Sequence, residues 1–161
     1  MVWHRIREVT MVDISLKSSV QVRGGPMFAM AATMEPTSYT LATVNVAKNT
    51  SKEVPLLANE GVPMLLAIRA YDAEGKKATI GVTPKKDGQS GKKLNVVGNL
   101  LLAHSGALDA LVTGGPRSVT VENAGDKPVV VEILAGLAPA PDTGPDPGPG
   151  PGPDPGPGRT R

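Results

Sequence analysis

An all-β fold, a β-sandwich or jelly-roll-like barrel of about seven or eight antiparallel strands with one short helix, is what this sequence predicts. Three observations carry that reading. Short segments alternate apolar and polar residues with period two, as a half-buried strand does. Clusters of Gly, Pro, Asn, Asp and Ser interrupt them at intervals of roughly ten residues, the rhythm of an all-β domain. Trp3, Phe28, Tyr39 and Tyr71 are the only aromatic residues, so the core is built from Val, Leu, Ile, Ala and Met.

From Val12 the apolar residues Val12, Ile14 and Leu16 alternate with Asp13, Ser15 and Lys17, and Val20 and Val22 continue the pattern until Arg23-Gly24-Gly25-Pro26 breaks it. Residues 27–34 are apolar on both faces, which suits a buried strand or one or two helical turns. After Glu35-Pro36-Thr37-Ser38, residues 39–46 place Ala42, Val44 and Val46 on one face, and Asn49-Thr50-Ser51-Lys52 makes a turn. Residues 62–71 and 77–82 flank Asp72-Ala73-Glu74-Gly75 and read as a hairpin, with glycine supplying the positive φ. Residues 84–91 form a polar loop. Residues 94–103 are apolar but interrupted by Gly98, the mark of a bulge or a close backbone approach. Residues 105–112 have helical spacing, with Ser105 as N-cap and Leu108, Leu111 and Val112 on one side. Residues 118–122 and 129–134, joined through Asn123 to Pro128, read as the strongest hairpin in the chain.

The domain boundaries follow composition. Residues 1–10 read as an N-terminal extension, residues 11–137 as the β domain, and residues 138–161 as a disordered tail rich in Pro, Gly and Asp. Proline recurs there at every second position, whereas a collagen helix needs glycine at every third. The N-terminal residues are charged and lack the apolar run of a signal peptide, and no apolar stretch approaches the roughly 20 residues that span a bilayer. These features predict a soluble protein with no membrane insertion. They leave its compartment open.

No catalytic constellation emerges. The chain has no cysteine, which removes disulfides, thiolate metal sites and thiol nucleophiles. Of the two histidines, His4 lies in the extension. His104 is followed by Ser105 and lies near Asp109, but neighbours on a strand point to opposite faces, so a strand-end or capping histidine is the reading favoured over a triad. Gly88-Gln-Ser-Gly91-Lys92-Lys93 has two residues where a phosphate-binding loop needs four between its glycines, and it lacks the hydroxyl after lysine. The chain is therefore expected to be a non-enzyme with no cofactor and no metal.

Two features remain. Lys76, Lys77, Lys85, Lys86, Lys92 and Lys93 fall within 18 residues that hold one acid, Asp87, in a chain of net charge +2. They form either a solvated rim that discourages edge-to-edge aggregation or a patch for a polyanion. Pro26 to Met34 holds three of the six methionines, with Met27, Phe28, Met30 and Met34 forming either core or a subunit interface. The leading expectation is a structural subunit that associates with itself or with a larger protein lattice, as a virion or phage capsid-decoration protein does. The alternative is a binding module that recognises an anionic partner or ligand through the Lys76–Lys93 region, and a remote alternative is an enzyme whose site the sequence does not reveal.

Overall fold

This computed structural model describes residues 3–7, 13–57 and 60–138; the expected tail, apart from Ala138, lies outside the described residues. Twelve strands and one short helix form among them: β1 (Trp3–Arg7), β2 (Ile14–Gln21), β3 (Met27–Met34), β4 (Ser38–Val46), β5 (Thr50–Pro55), β6 (Val62–Tyr71), β7 (Thr79–Lys86), β8 (Gln89–Ser90), β9 (Leu94–Val97), β10 (Asn99–Leu102), α1 (Ser105–Asp109), β11 (Ser118–Asn123) and β12 (Val129–Ala138). They build a five-stranded antiparallel sheet, β1-β4-β12-β6-β10, and a second sheet, β5-β11-β7-β8 with β9 also on β7. A third, two-stranded piece, β2-β3, stands apart.

The two large sheets pack face to face over one core, so the predicted β-sandwich is the fold. Val44, Val46, Val131, Ile133, Leu66 and Ile68 enter it from the first sheet, and Val54, Val119, Val121, Ile80, Val82 and Val96 from the second. Alternation dictates this: every second residue from Ala42 to Val46 in β4, at Val119 and Val121 in β11 and from Val129 to Ala135 in β12 is apolar and buried, and the residues between face out.

Several expectations are corrected in detail. The segments 118–122 and 129–134 do not pair. β11 lies between β5 and β7, while β12 crosses to the other sheet and lies between β4 and β6. The Asn123 side chain explains the crossing, because it donates to the carbonyls of Val46 (3.1 Å), Ala47 (3.2 Å) and Lys127 (2.7 Å) and accepts from the Gly125 N–H (3.0 Å). It ties the end of β11 to the end of β4 in the opposite sheet.

The turn at Asp72 is as read, with the Asp72 carboxylate accepting from the Glu74 and Lys76 N–H groups and Gly75 at φ 75°. Its two strands part after the Tyr71–Lys77 bridge, one to each sheet. Gly98 sits where they separate: its N–H donates to Ala78 O (2.9 Å) and its carbonyl accepts from Ala70 N (2.6 Å), so the chain passes from β9 to β10 by changing sheets there. A side chain at Gly98, with φ 73°, would strike Lys77.

Residues 84–91 are a hairpin rather than a loop, because Asp87 and Gly88 both adopt positive φ and let β8 fold back on β7. The helix cap is His104, not Ser105: Gly106 N–H donates to His104 Nδ1 (3.1 Å). Within the stretch read as an extension, β1 forms an outer strand on β4. Ala138, assigned to the tail, is the last residue of β12 and pairs with Val62.

Candidate assembly interface

The stretch 27–34 is a strand, as one of its two readings had it, but not a buried one. Residues 19–33 are exposed throughout. β2 and β3 form an arm that pairs only with itself, turning at Gly24 (φ 74°), where Gly25 N–H donates to Val22 O (2.8 Å). Residues directly opposite in an antiparallel pair share a face. The register Ile14–Met34, Leu16–Ala32, Ser18–Met30 and Val20–Phe28 therefore gathers eight residues on one face, all apolar except Ser18. The other face carries Ser15, Lys17, Ser19, Gln21, Met27, Ala29, Ala31 and Thr33.

Toward the tip the apolar face is open to solvent, with Val20 55%, Phe28 61% and Met30 65% exposed, while Ile14 and Leu16 are half-buried nearer the base. Of the four candidate interface residues, Phe28 and Met30 thus lie on this face near its tip, Met27 lies on the reverse, and Met34 is buried at the base.

The base is anchored. Thr37 donates from its N–H (2.9 Å) and hydroxyl (3.3 Å) to Leu137 O. Pro36 and Ile14 lie over Gly136, where an added Cβ would come within 3.5 and 3.9 Å of them. The arm accordingly leaves the body over the outer face of the first sheet.

That outer face carries a second apolar feature. Leu41 lies opposite Leu134, Leu134 opposite Ala67, and Ala67 opposite Leu101, which makes one row across β4, β12, β6 and β10. Leu41 is 53% and Leu101 44% exposed. The next row, Thr43–Glu132–Arg69–Asn99, is polar. Glu132 pairs with Arg69 (3.6 Å) and accepts from the Tyr71 hydroxyl (3.0 Å), a bond that pushes the phenol pKa up. Sequence reading missed the apolar row, although the signal was present: Leu41 and Leu134 fall out of phase with the buried residues of their strands.

The outer face of the second sheet is polar except at Val97, and the lysines lie on it or flank its strands. Lys85 pairs with Glu53 (2.9 Å), and that hydrogen bond, with a second from Ser118, holds the Glu53 carboxyl below its ordinary range. Lys93 runs over Gly81 to Glu122 (2.8 Å). Lys76 and Lys77 precede β7 and Lys85 and Lys86 close it, while Lys92 and Lys93 precede β9 beside the second half of β7. Strand pairing thus brings four of the six to one half of the sheet, two of them neutralised by carboxylates, and leaves Lys76 and Lys77 at the other end.

A shallow cleft of about 480 Å³ opens beside Lys85, Lys86, Asp87, Glu53, Ser118 and Arg117. Arg117 is largely buried there and donates to Gly61 O (2.7 Å) and Glu60 O (3.5 Å), which fastens the β5–β6 connection; burial draws its pKa down. The His104 imidazole is engaged in the helix cap, and Asp109 accepts from Gly114 N–H (2.6 Å). No helix among the described residues is long and apolar enough to cross a membrane.

No protein-family model matches the sequence, and no curated protein matches it. Among solved structures the chain is similar to a mutant of CBM29-2, studied for ligand recognition by family 29 carbohydrate-binding modules. The TM-score is 0.34 at 7% identity, over 91% of this chain and 93% of that one.

Proposed function

We propose that this protein is a structural subunit that self-associates through its β2–β3 arm, with assembly on a virion or comparable protein lattice as the setting that suits it. One observation carries the reading. An isolated two-stranded hairpin is marginal in water, yet here eight-residue strands extend from the body with the outer part of an apolar face uncovered. Exposed apolar patches of this extent mark interaction surfaces. Non-enzymatic function belongs to the same proposal.

Light scattering after gel filtration of the full chain tests it. A discrete oligomer at micromolar concentration is the expected result, and a monomer at every concentration refutes the reading. Anion capture by the cleft beside Lys85, Lys86 and Arg117 ranks second, because Glu53 and Asp87 line the same cleft. A monomer that binds heparin in low salt would favour it.

A further inference from the structure

We infer that the apolar face of the arm of one copy lies across the Leu41–Leu134–Ala67–Leu101 row of a second copy, and that the exchange is reciprocal about a two-fold axis. The inference rests on the self-association proposed above and names its geometry.

Dimensions support the fit. Same-face residues recur about every 6.7 Å along a strand, so the levels Leu16–Ala32, Ser18–Met30 and Val20–Phe28 cover about 13 Å. Strands about 4.8 Å apart place Leu41 and Leu101, at the ends of a four-strand row, about 14 Å apart. An arm laid at right angles to the receiving strands, one of the two usual ways sheets pack, brings its apolar levels over the row.

The arm does not cover its own row. Its base is pinned at Thr37, Pro36 and Ile14, and residues 19–33 stay exposed. The receiving row is therefore supplied by another molecule.

Area decides for reciprocity. The free part of the arm, residues 16–21 against 27–32, measures about 20 by 10 Å, and with side-chain relief presents on the order of 300 Å² of accessible surface. One arm on one row buries about 600 Å² in all, no more than a crystal contact, whereas two reciprocal contacts bury about 1,200 Å², the lower end of the range for a specific interface. A two-fold pair in which each copy gives an arm and receives one meets that size.

Sedimentation of the full chain and three variants tests the arrangement. Phe28→Ser with Met30→Ser, and separately Leu41→Ser with Leu101→Ser, alter only exposed positions. Each pair is expected to convert a dimer to a monomer, raising the dissociation constant at least tenfold, with an unchanged circular dichroism spectrum. Phe28→Cys alone, in a chain without other cysteines, is expected to resist oxidative cross-linking, because the two arm tips lie on different receiving faces. Rapid cross-linking of that variant would show arm-on-arm packing and overturn the inference. So would a dimer that survives the Leu41/Leu101 change, which leaves self-association standing. A parent chain that stays monomeric but binds phosphatidylcholine vesicles overturns both.

Discussion

Replacing Asn123 with alanine tests the device that sends β11 and β12 to different sheets. The side chain is 1% exposed and makes three contacts from its amide nitrogen and one to its carbonyl oxygen. Two N–H donors serve three carbonyls, so the loss is counted as two donated bonds and one accepted bond. At about 1 kcal/mol net each, and with the Val46 bond fully buried, Asn123→Ala is expected to cost about 3 kcal/mol. For a domain of this size that lowers Tm by about 10 °C, at roughly 3–4 °C per kcal/mol. Thermal unfolding followed by circular dichroism reads the shift.

Asn123→Asp sharpens the test. The carboxylate would face the carbonyls of Val46 and Lys127, so its folded pKa is raised above the unfolded value. Stability is then retained at low pH, where the protonated acid donates one bond, and is lost as pH rises through the folded pKa. This variant should regain ground on the parent between pH 7 and 4.5. An alanine variant that melts within 2 °C of the parent, a limit set well inside the roughly 10 °C expected, would refute the tie between the sheets.

Gly91→Ala should destabilise by about 2 kcal/mol or more in urea titration, since its Cβ would strike the Leu111 carbonyl. Gly81→Ala should cost under about 1 kcal/mol, because the atoms it meets belong to the flexible end of Lys93 and only the exposed Lys93–Glu122 pair is lost. Changing Lys85, Lys86, Lys92 and Lys93 together to Ser should leave Tm within a few degrees and the oligomeric state unaltered; dissociation of the assembly would place the lysines in the interface. The carboxyls of Glu53 and Asp72 are held below their ordinary range, chiefly by the Lys85 hydrogen bond and by the Lys76 N–H respectively. Their contribution is present above the ordinary carboxylate range and lost as pH falls through the lowered values, so Glu53→Gln should flatten the acid side of a Tm–pH profile.

The sandwich was legible in the sequence because alternation reports burial strand by strand, and Val119, Val121, Val131 and Ile133 are all buried as their spacing requires. Pairing was not legible. A short polar connection such as 123–128 looks the same whether its strands join or part, and the deciding group is one buried amide, Asn123. The reverse error occurred at Asp87-Gly88. That dipeptide is a strong hairpin signal, but lysines before it and Gln and Ser after it resemble a loop. At residues 27–34 an apolar run does not tell whether its cover comes from the same molecule or another, so it leaves both core, the reading it favours, and interface open for Met27, Phe28, Met30 and Met34. Pairing with Ser15, Lys17 and Ser19 on the reverse face made burial on both sides untenable.

The position of β12 also bears on how the chain folds. The last described strand is inserted between β4 and β6 at the centre of its sheet, and Leu137 accepts a bond from Thr37, 100 residues earlier. Neither β4 nor β6 has its main partner until residue 138 has left the ribosome. Contacts of such sequence separation close slowly. The local hairpins β2–β3 and β7–β8 can form first, so the apolar arm is displayed while the body is still open. A growing chain therefore exposes the proposed association surface before the surface proposed to receive it exists, and crowded synthesis would favour tangled arms over paired ones. Expression at low temperature, or with a chaperone that shields apolar hairpins, should raise the yield of assembled protein for that reason.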